Sequence, residues 1–331
     1  CRGLGVSQSS ADGGMCMVRL TFLESGEASY PSAKVDTVNA ISAKGNAVTA
    51  AAEQSFVSDF LTTGFPAYVA ESAATGLSDL GEFMAAPGLN FAGDLQAASD
   101  FYLGAKGLAA DAYSLVQQPL QMVSRITGLF GSIRSAFGSN AFSMLTSLFD
   151  RSPSSYSGST ATPSRQQQGA NTVAMNALVR QVAIAEAAKA AVVTQTSIAA
   201  PIPTIAGRTA TAPSSNVRTT ATPTVYDSYQ AAIKVREELV CRIDAESEVT
   251  PDDEVYMTLS DLRTSVVQAV PNPEQNLARI VQYVPKETLP SLLVAYQIYG
   301  DAGRADDIAT RNGPRHPGFL IGGNQLEVLA D

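Results

Sequence analysis

Residues able to support catalysis are few and widely spaced. The chain of 331 residues has one histidine, His316, and three cysteines, Cys1, Cys16 and Cys241. One histidine excludes a two-histidine metal site within one chain, and the cysteine spacing fits neither a zinc site nor a disulfide framework. His316 stands in a Pro/Gly turn with no G-x-S-x-G motif nearby, so a Ser-His-Asp triad is not indicated. We predict free thiols, no metal, no cofactor and no catalytic residue.

Carboxylates are concentrated in one stretch late in the chain. The group comprises Glu237, Glu238, Asp252, Asp253 and Glu254. It could in principle bind a metal or act in acid–base catalysis. However, Thr250-Pro251 followed by acids is typical of a helix start, where carboxylates stabilise the positive end of the helix dipole. We interpret the group as solvated helix surface and helix capping, which makes an enzyme the least favoured class of protein.

Composition further narrows the classes of protein. The net charge is −9, aromatic residues make up 7% and Trp is absent, while 45% of residues are hydrophobic, many of them Ala. A nucleic-acid binder usually needs clustered Lys and Arg, so DNA binding is not the default interpretation. No apolar run is long enough for a stable membrane span. Small apolar side chains favour helices in close contact with each other or with partner chains.

These patterns predict a mainly α protein with β structure at both ends. The two low-complexity stretches, rich in Ser, Thr and Pro, predict linkers. The predicted segments are, in order, a β-hairpin at 1–31, a helical domain at 32–150, a flexible linker at 151–170, a single helix at 171–196, a second linker at 197–224, a helical hairpin at 225–271 and an α+β module at 272–331.

Two of these segments carry specific expectations. A two-stranded hairpin is not stable alone in water, so we expect residues 1–31 to complete a sheet formed by upstream residues or by a neighbouring subunit. The chain lacks an initiator Met, and we expect it to begin inside a longer protein. Residues 272–331 read as strand, helix, helix, strand, with Gly300 closing the first helix and a Gly/Pro-rich turn before the last strand.

The strand–helix–helix–strand module resembles a LysM module. The resemblance rests on Tyr283-Val284-Pro285-Lys286-Glu287-Thr288-Leu289, Tyr299-Gly300, Ile308-Ala309-Thr310-Arg311-Asn312 and His316-Pro317. LysM modules usually carry Gly-Asp where this chain has Lys286-Glu287, so the expected ligand is a protein of the same particle rather than a glycan. The docking residues implied by the resemblance are Tyr283, Leu289, Tyr296, Tyr299, Arg304, Asn312, His316 and Phe319.

A second resemblance brackets the chain. Its residues are Gly13-Gly14, Leu20-Thr21-Phe22 and Tyr30-Pro31-Ser32 near the start, and Tyr299-Gly300-Asp301, Arg304-Ala305-Asp306, Arg315-His316-Pro317-Gly318-Phe319 and Leu326-Glu327-Val328-Leu329 near the end. These residues resemble the DNA circularisation protein family of Mu-like tailed phages and prophages. The resemblance implies a structural virion protein of a contractile tail, made in the host bacterial cytoplasm and placed at the tail tube–baseplate hub. It also implies a trimer or hexamer around the tail axis that contacts other tube, baseplate and hub proteins, with the hairpin as the remnant of a tube-like β domain.

Two alternative functions remain open. A DNA-end-binding protein injected with the phage genome would need its arginines to gather on one surface. The candidates are Arg125, Arg134, Arg151, Arg165, Arg208 and Arg218. A peptidoglycan-binding protein would act through the LysM-like module.

Overall fold

The chain is mainly α-helical in a computed structural model. The structure describes residues 3–8, 16–21, 36–87, 89–192, 226, 228–271 and 277–330. The predicted linker at 197–224 lies outside the described residues, so its prediction stands as made. The chain divides into two compact units, Cys1–Asp36 and Thr37–Asp331, and each is described by itself.

The first unit contains two paired strands. Strand β1 (Gly3–Gln8) runs antiparallel to β2 (Cys16–Thr21), with Gly3 opposite Thr21 and Gln8 opposite Cys16. Two strands alone leave both outer edges without a sheet neighbour and are marginal in water. The proposed part of this pair in a larger sheet therefore stays a prediction.

In the part that the structure describes, the second unit begins with nine α-helices that share one hydrophobic core. They are α1 (Thr37–Asp59), α2 (Ala67–Met84), α3 (Leu95–Ala110), α4 (Ala112–Val116), α5 (Pro119–Phe137), α6 (Ala141–Arg151), α7 (Pro163–Val192), α8 (Tyr229–Val249) and α9 (Asp253–Ala269). The apolar stretch 118–149 forms two helices, because Gly138 breaks it with a φ of 52°. A side chain at Gly138 would also lie only 2.8 Å from the carbonyl oxygen of Ala92, so glycine is required there.

Helix α7 differs most from its prediction. It begins at Pro163 rather than at residue 171, so residues 163–170 belong to a helix and not to the linker predicted at 151–170. The predicted single helix is also the central helix of the domain, packed against α1, α2, α5, α6, α8 and α9. Two features explain the difference. Proline suits a first helical turn, and Asn171 binds the backbone of Leu61 beyond α1, accepting from its N–H at 3.0 Å and donating to its oxygen at 2.7 Å.

The last four elements form the C-terminal module, with its own small core. Strand β3 (Arg279–Tyr283) pairs antiparallel with β4 (Leu326–Ala330), and between them lie α10 (Ser291–Tyr299) and α11 (Ala305–Asn312). The helices end at glycines with positive φ, Gly300 and Gly313. The core comprises Val294, Ala295, Ala305, Ile308, Leu320, Leu326 and Val328. The element order is the one predicted, whereas the likeness to LysM stays a prediction.

Backbone contacts join the module to α8. The N–H of Tyr229 donates to the carbonyl oxygen of Ala278 at 2.9 Å. The guanidinium of Arg279 lies 4.8 Å from the ring centre of Tyr229, and Leu277 is part of the helical core. The module is therefore anchored to α8 at the start of β3. Over the described residues, none of the helices combines the length and the apolar character needed to cross a membrane.

Candidate docking surface and buried ion network

Helix α10 places apolar side chains on both of its sides. Val294 and Ala295 are buried in the core of the module, whereas Leu292, Leu293 and Tyr296 are exposed, Tyr296 to 61%. The helix is too apolar for the small sheet to cover all of it. One side therefore remains as an exposed apolar stripe.

A neighbouring segment with exposed apolar side chains lies beside the start of α10. The backbone of Leu320 pairs with that of Leu289, with N–H···O distances of 2.8 and 3.0 Å, and the N–H of Ser291 donates to the oxygen of Pro317 at 2.9 Å. Because Leu320 is buried, its neighbours Phe319 and Ile321 point outward, and Phe319 is 65% exposed. We name this feature the α10 surface. It comprises Leu292, Leu293, Tyr296, Phe319 and Ile321.

His316 shapes the turn that presents Phe319. Its Nδ1 accepts a hydrogen bond from the N–H of Gly318 at 3.0 Å, and its ring centre lies 5.4 Å from that of Phe319. The N–H of Phe319 donates to the carbonyl oxygen of His316 at 3.0 Å. The histidine thus contributes to the shape and the rim of the α10 surface.

The eight predicted docking residues fall into two groups. Tyr296, His316 and Phe319 are exposed at or beside the α10 surface. The other five are half-buried and hold the module together. Tyr283 and Leu289 pack on its core. The hydroxyl of Tyr299 accepts from the N–H of Leu329 at 2.8 Å, and the guanidinium of Arg304 lies 4.2 Å from the Tyr299 ring centre. The sequence analysis did not include Leu292, Leu293 and Ile321, although the apolar character of α10 was an available signal for the first two.

Side-chain amides occupy both outer edges of the module's sheet. On β4, Asn312 accepts from the N–H of Glu327 at 2.7 Å and donates to its oxygen at 2.9 Å. On β3, Gln230 accepts from the N–H of Ile280 at 2.9 Å and donates to its oxygen at 3.4 Å. An added strand would need to hydrogen-bond to these same backbone groups of Glu327 and Ile280. At Glu327 and Ile280 the two sheet edges are therefore already occupied and are not open to an added strand.

A buried ion network lies in the helical domain. Arg180 of α7 and Glu246 of α8 approach to 2.5 Å and are 4% and 1% exposed. Gln181 donates to the same carboxylate at 2.9 Å, and the remaining guanidinium donors reach the carbonyl oxygens of Ser152 and Pro153 at 3.2 and 2.8 Å. A buried pair is tolerated only when its other donors and acceptors are also bonded, as they are here.

A second buried carboxylate lies further along α7. Glu186 bonds Lys189 at 2.6 Å and faces Arg134 of α5 at 3.4 Å. Charges within an Ala/Val-rich helix do signal buried partners, but Glu246 is 66 positions from Arg180, so the sequence could not identify it.

A cavity of about 480 Å³ lies beside this network, between α1, α7 and the α8–α9 turn. Its polar lining includes Ser58, Asp59 and Gln167. Both buried charges at its wall, Arg180 and Glu246, already bond each other. The cavity therefore offers a ligand none of the charge of these two groups, and the α10 surface is the stronger functional candidate.

The predicted carboxylate group is spread along helix surfaces. Asp252, rather than Thr250 at the start of the predicted motif, caps α9 by accepting from the N–H groups of Glu254 and Val255 at 2.8 and 3.1 Å. Glu238 bonds Arg242 at 2.9 Å. Among the described residues, no three His, Cys, Asp or Glu side chains are grouped to hold a metal ion, and Cys241 is a free, exposed thiol.

Comparison with known proteins gives limited but specific similarity. No family model matches the chain. A stretch of 74 residues, 22% of this chain, is 31% identical to the Mu-like prophage FluMu DNA circularization protein of Haemophilus influenzae. The similarity covers 16% of that relative, well under two thirds of its length. It supports the resemblance drawn from the sequence over this stretch alone.

Proposed function

We propose that this protein is a structural component of a phage contractile tail, located at the tail tube–baseplate hub. It acts without catalysis, by assembling with copies of itself and by docking neighbouring tail proteins. The observation that carries the proposal is the α10 surface, where Tyr296 and Phe319 are each more than half exposed. The similarity to a Mu-like prophage protein supplies the phage context.

The physical argument starts from the cost of exposed apolar groups. Contiguous apolar patches on proteins usually mark binding sites, and aromatic side chains at their centre commonly dominate binding energy. Tyr296 and Phe319 fit that role in the α10 surface. The sheet edges beside them are occupied by Gln230 and Asn312. The module therefore presents a side-chain surface suited to a folded partner, such as an adjacent tube, baseplate or hub protein.

Purified tails of the encoding phage or prophage test this function. We expect the chain, in its full-length protein, to be present in tails, and Phe319→Asp to reduce its incorporation. Leu103→Asp is the matched control, because Leu103 on α3 is 62% exposed and lies outside the module. Absence of the unaltered protein from tails would refute the proposal. Retention of the isolated protein by peptidoglycan would instead support the glycan-binding alternative.

DNA binding is the second candidate function, and the name of the Haemophilus relative, a DNA circularization protein, motivates it. Two of the six arginines named above as candidates for DNA binding face carboxylates. Arg134 lies 3.4 Å from Glu186, and Arg125 lies 4.0 Å from Asp111. Arg208 and Arg218 lie outside the described residues. A salt-dependent mobility shift of linear DNA by the purified protein would support this function. Absence of a shift at low salt would exclude it.

A further inference from the structure

We propose that the partner of the α10 surface is a second copy of this chain, bound through the corner where α8 meets α9. This inference rests on the proposed function only in taking the α10 surface as a docking site. It goes further by naming the occupant and the region that the occupant contributes. The argument is complementarity of apolar groups and of charge.

The α10 surface is apolar at its centre and carries cations at its rim. Lys286 is exposed in the segment leading to Leu289, whose backbone pairs with that of Leu320, and Arg315 is exposed four residues before Phe319. Glu287 lies beside Lys286 and partly offsets it. No ion pair among the described residues involves either cation, although the whole chain carries a net charge of −9. A partner that suits this surface has an apolar centre flanked by carboxylates.

The α8–α9 corner has that character. Val249, Tyr256 and Met257 are exposed apolar residues there, Met257 to 63%. They are accompanied by exposed Glu248, Asp253 and Glu254. Within the described part of the chain, these three carboxylates form no ion pair. Tyr256 and Met257 follow Val255, which is fully buried, so the helix turn that anchors the corner also directs them outward.

The contact would be made between chains. Both surfaces are exposed in the same molecule, so neither covers the other within one chain. Two different surfaces that fit each other give a head-to-tail contact, which closes into a ring or extends into a filament. Such a contact would suit a subunit repeated around an axis.

Sedimentation velocity of the whole chain tests the inference with three single variants. Phe319→Asp damages the α10 surface, Met257→Asp damages the corner, and Leu103→Asp is a control of matched exposure outside both. We expect the unaltered chain and the control to associate with increasing concentration. We expect each of the first two variants to weaken association by about tenfold or more, since truncating or charging a central apolar contact removes its binding energy.

Mixing the two defective variants gives the sharper result. Met257→Asp keeps an intact α10 surface and Phe319→Asp keeps an intact corner, so the mixture should form one-to-one pairs and nothing larger. Weakening by Phe319→Asp alone would indicate contact between two α10 surfaces and would overturn the inference. A wild-type chain that stays monomeric at all concentrations would also overturn the inference. If that monomeric chain still enters tails through Phe319, the proposed function survives and only this inference fails.

Discussion

The buried ion network of the helical domain and the α10 surface of the C-terminal module place polar and apolar groups in opposite ways. The helical domain buries charge: Arg180 and Glu246 are almost completely enclosed and bonded to each other. The module exposes apolar surface, with Tyr296 and Phe319 facing outward. A buried charge needs a fixed partner within the fold, whereas an exposed aromatic residue is available to another molecule. The Arg180–Glu246 pair therefore acts inside the fold, whereas we propose that the α10 surface contacts another molecule.

The two regions also differ in how their backbones are held. Helices satisfy their own backbone groups, so the helical domain depends on packing around α7. The small sheet of the module has two outer edges. Asn312 and Tyr299 bind the β4 edge, and Gln230 binds the β3 edge. Polar side chains there form hydrogen bonds that further strands would form in a larger sheet.

Glu246→Ala should have the largest effect on stability. The substitution leaves the Arg180 guanidinium buried without its carboxylate, which we expect to cost about 3–5 kcal/mol in the free energy of unfolding. Urea denaturation followed by circular dichroism measures this cost. The control is Asp261→Ala, which removes an ion pair with Lys44 whose side chains are about half exposed, and should cost about 0–1 kcal/mol. Equal losses in the two variants would contradict the view that burial gives the Arg180 pair its importance.

Sequence patterns predicted that this domain is helical, but they did not predict how its helices pack. The apolar stripe and the breaks at Pro and Gly predicted helices, including the start of α9 that Asp252 caps. They did not identify α7 as the central helix, because its Ala-rich surface has no marked apolar face. The sequence could not predict Glu246 as the partner of Arg180 either, because tertiary packing rather than spacing along the chain brings the two residues together.

Asn312→Ala should have the next largest effect. The substitution removes the hydrogen bonds to the N–H and oxygen of Glu327 and one to the oxygen of Ile308. We expect the free energy of unfolding to fall by about 1–3 kcal/mol, because the N–H and oxygen of Glu327 on β4 then lack their hydrogen-bond partner. Hydrogen exchange provides the local measurement: the amide of Glu327 should lose protection, while amides of α7 keep theirs. Unchanged protection at Glu327 would show that the edge does not depend on Asn312.

In the C-terminal module, the sequence predicted the order of strands and helices better than the roles of individual side chains. The strand–helix–helix–strand order followed from Gly, Pro and apolar spacing. The assignment of eight residues to docking did not separate exposed side chains from those that bind the backbone. Tyr299 and Asn312 are among the predicted docking residues, yet they bond Leu329 and Glu327 of β4. Distinguishing these two kinds of residue requires knowledge of which edge of the sheet each side chain reaches.

The pH dependence of stability should show a smaller effect in the helical domain. Burial raises the pKa of the Tyr226 hydroxyl, which donates to the oxygen of Ala191 in α7 at 2.6 Å. In the unfolded chain a tyrosine loses its proton near about pH 10. The stabilisation from Tyr226 is therefore complete below that pH and declines above it, by about 1.4 kcal/mol per pH unit, until the folded-state pKa is reached.

Tyr226→Phe removes this group and supplies the comparison. The difference in unfolding free energy between the unaltered chain and Tyr226→Phe should be constant up to about pH 9 and should shrink between about pH 10 and about pH 11. Tyr113→Phe serves as the control for the substitution itself, because Tyr113 is half exposed and its replacement should change the unfolding free energy by no more than about 0.5 kcal/mol. A difference that grows with pH would reverse the sign and refute the assignment.

Phe319→Ser should have the smallest effect on stability, and this small effect is informative. A residue 65% exposed contributes little to the core, so the unfolding free energy should change by no more than about 0.5 kcal/mol. The same change at Phe130, which is fully buried in α5, should cost about 3–5 kcal/mol. Both variants can be measured by urea denaturation under one set of conditions. A loss at Phe319 near that at Phe130 would mean that the α10 surface is part of the fold's core. A negligible loss would mean that the chain keeps an exposed aromatic residue for which folding gives no reason, which is the property that a docking surface requires.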